Sequence, residues 1–139
     1  MKLIQVTALF LSLLPLVSQA SQAADTAPQS LNAYRDKNRV LLVFAPSASD
    51  ARYRKQSELL SGNDSGLKER DLLRFNLFES NGSALRKQYG VRPGQFRVLL
   101  IGKDGNTAYS TARPVVPSDL FRRIDRMPMR RDEMRRRGR

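Results

Sequence analysis

The chain has 139 residues, one domain's worth, and carries 25 Lys and Arg against 13 Asp and Glu for a formal net charge of +12. It contains neither cysteine nor histidine. That excludes disulfides, thiolate nucleophiles, thiolate metal or iron–sulfur sites, and the base of a Ser-His-Asp arrangement. Carboxylates, Lys, Tyr and Ser remain for chemistry, no metal or cofactor is expected, and the charge favours an anionic partner.

The first two dozen residues read as an export signal. Met1-Lys2 is a short positive start, and residues 3–17 form an apolar run broken only by Gln5, Thr7 and Ser12. Small residues follow, with cleavage expected after Ala20, Ala23 or Ala24. The run is too short and too interrupted for a membrane anchor, and no cysteine follows it to take a lipid. The protein is therefore expected in the periplasm or secreted, and no transmembrane segment is expected in the mature chain. Losing Lys2 and no acid takes the net charge from +12 to +11. Residues 25–30 lack periodicity and read as a flexible leader. Residues 31–127 then form the folded domain, and 128–139 a basic, arginine-rich segment.

Within the domain, residues 31–37 predict a short helical or irregular lead-in. Residues 40–44 (V-L-L-V-F) are a continuous apolar run, the signature of a strand buried on both faces. After Ala45, Pro46 and Ser47 a helix is predicted from Ser49 or Asp50, with Gly62 as its stop. Residues 61–66 read as a polar turn, and 67–70 carry no clear element. Residues 71–79 alternate and predict a second strand, with Leu73, Phe75 and Leu77 on one face. Ser83 is expected to cap a short helix that Gly90 ends. Residues 96–101 predict a third, central strand, and Lys103-Asp104-Gly105-Asn106 a hairpin turn into a fourth at 107–111. A last helix opens at Pro117-Ser118-Asp119 with Ser118 as N-cap, buries Leu120, Ile124 and Met127, and is stopped or kinked by Pro128. The order is a βαβ unit and a helix, then a β-hairpin and a closing helix. That predicts an α/β fold with a four-stranded mixed sheet flanked by helices, the thioredoxin-like layout.

Particular residues carry the resemblance further. Residues 84–106, A-L-R-K-Q-Y-G-V-R-P-G-Q-F-R-V-L-L-I-G-K-D-G-N, resemble the second half of thioredoxin, and V-L-L-V-F-A-P resembles the strand before a thioredoxin or peroxiredoxin active-site loop. F-A-P-S-x-x-D-x-R-Y, together with I-D-R-M-P-M-R-R-D-E-M-R near the end, is similar to a bacterial exported family of unknown function. That family is related to the thioredoxin-like DUDES domains of sushi-repeat and equarin proteins. The resemblance implies the fold; where thioredoxins carry Cys-x-x-Cys, this chain has Ser47-Ala48-Ser49-Asp50. Serine cannot carry disulfide exchange, so thiol redox activity is not expected. Gln95-Phe96 stands where thioredoxins place the proline before the third strand.

Two groups of residues are candidates for binding. In a strand–loop–helix unit, the loop at the strand's carboxyl end faces the helix N-terminus, where α/β sheets place ligands. Ser47, Ser49 and Asp50, with Arg52 or Arg54, are candidates there for a small anion. The competing reading is that Ser49 or Asp50 merely caps the helix, and Asp50 would itself repel an anion. The second group lies in a C-terminal concentration of arginine that includes Arg113, Arg122 and Arg123. Within it Arg126, Arg130, Arg131, Arg135, Arg136 and Arg137 are candidates for polyanion binding, against the reading of a solvated tail. Asp132, Glu133, Met129 and Met134 hint instead at a helix docked on its own domain. Nucleic acid is not expected, because no aromatic residues interleave the charges.

The leading expectation is an exported, redox-inactive thioredoxin-like module that binds a protein or an anionic ligand and has no catalytic residues. An envelope-surface or polyanion binder acting through the arginine-rich C-terminus is the alternative. A hydrolase using Ser47 or Asp50 is a third, disfavoured for want of a base.

Overall fold

The computed structural model describes residues 27–138. The expected signal with its cleavage positions, the first two residues of the leader and Arg139 lie outside them. Among the described residues no helix is long and apolar enough to cross a membrane.

Strand β1 (Arg39–Phe44) is buried along its whole length, as its uninterrupted apolar run requires. It pairs in parallel with β2 (Leu72–Leu77) and antiparallel with β3 (Arg97–Ile101); β3 in turn pairs antiparallel with β4 (Thr107–Thr111). The sheet order is β2-β1-β3-β4, so the predicted central position of the third strand holds. A 3-10 turn at Asn32–Tyr34 precedes the sheet. Helices α1 (Ala51–Leu60), α2 (Asp64–Glu69), α3 (Ser83–Tyr89), α4 (Pro117–Asp125) and α5 (Pro128–Arg137) complete the chain.

Side-chain alternation divides the core in two. Leu41, Val43, Val98 and Leu100 face one way and pack with Leu60, Leu67, Leu120 and Ile124 from α1, α2 and α4. Val40, Leu42, Phe44, Leu99 and Ile101 face the other way, against Leu85, Val91 and the partly buried Tyr34 and Tyr89. Each such side chain, fully buried, contributes roughly 1.5–3 kcal/mol of transfer free energy. That is how a chain without disulfides holds this sheet.

The sequence misses α2 because Asn63, Ser65 and Gly66 are turn formers. Packing overrides them: Leu67 is buried, and Gly66 lies so close to α4 that a Cβ there would stand 2.7 Å from the Phe121 ring. Ser83 and Ser118 are not caps. Gly82 precedes α3 with no side-chain cap, and Ser83 is its first residue. Val116 precedes α4 in an extended conformation, and Pro117 holds the first helical position, where its fixed φ and missing N–H cost nothing. Gly90 does end α3, at φ +66° in the left-handed region. Pro128 likewise opens α5 rather than only breaking α4, with Met127 extended before it. Gln56, inside α1, is buried and holds both the N–H and the C=O of Val115, at 2.8 and 3.0 Å. Those two bonds fix the segment that leads into α4.

Candidate functional site

The loop at the carboxyl end of β1 is where the sequence directs attention first. Asp50 caps α1, its carboxylate accepting from the backbone N–H of Arg52 at 2.9 Å and of Tyr53 at 3.3 Å. The Arg52 guanidinium donates to the same carboxylate at 3.0 and 2.7 Å, and these bonds hold the Asp50 pKa below the usual carboxylate range. Arg52 also reaches the Gly94 carbonyl at 3.2 Å, and Glu79 accepts from the Gly94 N–H at 2.7 Å. Ser47 and Ser49 are exposed and share a 2.9 Å contact between their hydroxyls. Arg54 is exposed on α1 and joins none of this.

The structure thus brings Ser47 and Ser49 together and Asp50 onto Arg52, and leaves Arg54 apart. The α1 N–H groups an anion would use are taken by Asp50. Behind the loop lies a residue the sequence does not single out. Arg86 of α3 is buried, donates to the carbonyls of Ala45 and Arg92, and stands over the Phe44 ring. Burial lowers its pKa, with the nearby Glu79 charge opposing. It ties the end of β1 to the loop before β3. Its place in a short helix between exposed Lys87 and buried Leu85 gives no sign of this role in sequence.

The opposite end of β1 carries a cluster of buried charge. Arg39 is fully buried; its guanidinium donates to the Glu133 carboxylate through two bonds of 3.2 Å and to the Arg70 carbonyl at 2.9 Å. Lys103 donates to Glu133 at 2.7 Å and to Asp71 at 2.9 Å. Arg130, 1 % exposed, donates to Asp125 at 3.0 Å and to Glu69 at 2.9 Å, and Arg70 pairs with Asp125 at 2.8 Å. Burial pushes the Asp125 and Glu133 carboxyls up, but the bonds from Arg70 and Arg130 to the first, and from Lys103 and Arg39 to the second, outweigh it and hold both below their ordinary range.

The six C-terminal candidates therefore separate. Arg130 is spent inside the cluster. Arg137 donates to the Glu69 carbonyl at 2.8 Å, and Arg135 pairs with Asp132. Arg126, Arg131 and Arg136 are exposed, and their side chains make no hydrogen bond or ion pair among the described residues. The methionines that hint at docking do not perform it: Met129 and Met134 are 44 % and 38 % exposed, and α5 is held through Arg130 and Glu133. The i, i+3 spacing of those two residues was the signal available. The domain boundary read after Met127 falls between α4 and α5, across which the Arg130–Asp125 pair runs.

A family model for a domain of unknown function, DUF4174, matches residues 30–133. The chain belongs to the DUF4174 family. Solved structures show the fold that this DUF4174 chain shares. The reduced 2-Cys peroxiredoxin of Plasmodium vivax superposes with a TM-score of 0.60 at 15 % identity, over 75 % of this chain and 84 % of that one. Thioredoxin peroxidase I of Plasmodium yoelii gives 0.60 at 17 %, over 73 % and 79 %. A DsbF homologue from Corynebacterium diphtheriae gives 0.51 at 20 %, over 70 % and 76 %. The DUF4174 chain is thus thioredoxin-like in fold, as its sheet order and element succession already indicate.

Proposed function

We propose that this DUF4174 protein is an exported, redox-inactive thioredoxin-like module that acts by binding an anionic partner and has no catalytic residue of its own. One observation carries the reading. At the loop where the fold's redox members hold their cysteines, the chain has Ser47-Ala48-Ser49-Asp50, and Asp50 spends its carboxylate on the α1 amides and Arg52. A scaffold with that loop closed, and with no thiol anywhere in the chain, offers shape and charge. The test is a dithiol and peroxide turnover assay on purified protein, followed by affinity capture from the envelope fraction. No turnover with specific capture is the expected result; turnover above the buffer rate would overturn the reading.

A second reading, a polyanion binder acting through α5, draws on the exposed and unpaired Arg131 and Arg136. It predicts heparin retention that falls steeply with salt and disappears in Arg131→Gln/Arg136→Gln protein.

A further inference from the structure

The strongest unused feature is a groove between the outer side of β4 and the α4–α5 elbow. It consists of adjoining recesses. One of about 190 Å³ is lined by Ala108, Met127, Pro128 and Met129 and ends at the Asp104–Asn106 turn. The next, of about 300 Å³, shares Ala108 and Met127 and adds Arg123 and Arg126. The last, of about 190 Å³, shares those two arginines and adds Arg122 and Asp119.

The groove is apolar at one end and cationic at the other. At the apolar end the cations are neutralised, because Lys103 lies on Asp71 and Glu133, and Arg39 on Glu133, and the Asp104 carboxylate at the far turn accepts from Asn106. At the cationic end Arg122 is matched by Asp119 at 3.2 Å, but Arg123 and Arg126 have no carboxylate among the described residues. Arg123 is held in place by the Tyr109 ring, its guanidinium 3.7 Å from the centroid. A guanidinium fixed by an aromatic face and lacking a counter-ion keeps its N–H fork free for a carboxylate and has already given up much of its rotamer freedom.

We propose that this groove binds an extended acidic peptide segment of a partner protein, with carboxylates on Arg123 and Arg126 and a neighbouring apolar side chain against Met127 and Met129. The inference rests on the reading of the chain as a binding module and names the surface and the class of partner. The concave shape favours a protruding segment over a flat membrane surface. Arg123 covers the Tyr109 ring, so that ring is not available to stack on a nucleobase. The bulge at Ala108 interrupts the β3–β4 ladder, so the segment is recognised through side chains rather than as an added strand.

The test is fluorescence anisotropy of a fluorescein-labelled peptide carrying glutamates on either side of a central leucine, titrated with the full mature chain. Circular dichroism confirms that each variant is folded, which the exposure of the substituted side chains favours. Arg123→Gln/Arg126→Gln protein should bind about tenfold more weakly or worse, the equivalent of roughly 1.4 kcal/mol from two partly screened charge pairs. Met129→Ser should lose a smaller factor, and Arg131→Gln/Arg136→Gln on α5 should bind like the wild type. The glutamine counterpart of the peptide should not bind. Equal losses in the α4 and α5 variants, equal binding of the glutamine peptide, no peptide binding at all, or preferential retention on phosphatidylglycerol vesicles would each overturn the proposal. Dithiol turnover would overturn the redox-inactive reading while leaving the peptide titration unchanged, so the two failures are distinguishable.

Discussion

The two ends of β1 handle arginine in opposite ways. At the carboxyl end, Arg86 and Arg52 donate to backbone carbonyls of Ala45, Arg92 and Gly94, and the one carboxylate to which they donate among the described residues is the local cap Asp50. At the amino end, Arg39, Arg70, Lys103 and Arg130 meet Glu69, Asp71, Asp125 and Glu133, and apart from Arg130–Asp125 these pairs join residues far apart in sequence. A cap couples a helix to its own first turn. A buried ionic cluster couples α5, β1 and the β3–β4 turn to one another. Long-range stability therefore concentrates at the end of the sheet away from the Ser47–Asp50 loop, where α5 is anchored.

That contrast is open to direct attack, beginning with the largest expected effect. Glu133→Gln removes the carboxylate shared by Arg39 and Lys103 and leaves both cations short of a partner in a buried place. Chemical denaturation should show a loss of about 3 kcal/mol, as for a broken buried pair. Gln56→Leu strips both hydrogen bonds from the Val115 backbone and should cost about 2 kcal/mol by the same measurement. Asp50→Ala removes a cap and its solvent-facing pair with Arg52 and should cost about 1 kcal/mol. A larger loss from Asp50→Ala than from Glu133→Gln would reverse the contrast.

Acid sharpens the comparison. The folded pKa values of Asp125 and Glu133 lie below their unfolded values, so each contributes stability that is fully present above the ordinary carboxylate range. That stability is lost as pH falls through the folded values. Thermal melts between neutral pH and pH ~3 should show the wild type losing stability faster than Glu133→Gln, whose residue 133 no longer titrates. Parallel curves would contradict the assignment.

Periodicity made the sheet legible. The apolar run from Val40, the alternation from Leu72 and the Asp104-Gly105 turn each carry a local signal, and together they specify the succession of elements. The Asp50 cap was legible too, as the bland alternative to an anion site. The buried charge cluster was not, because its members are distributed over β1, the end of α2 and the link to β2, the β3–β4 turn, α4 and α5, and each alone resembles a solvated charge. Arg130 and Arg131 are neighbours of identical chemistry, one buried and one exposed; only the helical phase of α5 against β1 separates them. Arg123 and Arg126 likewise belonged to a general surplus of arginine until Tyr109 and Asp119 sorted the paired from the free.

The most direct test of this account is the melting temperature of a chain spanning residues 25–127, cut after Met127, against one spanning residues 25–139. Without Arg130 and Glu133, the cations Arg39 and Lys103 lose their anchor, and the account predicts a fall of many degrees or the loss of a cooperative transition. An unchanged melting temperature would mean that α5 is a passenger, and would contradict it.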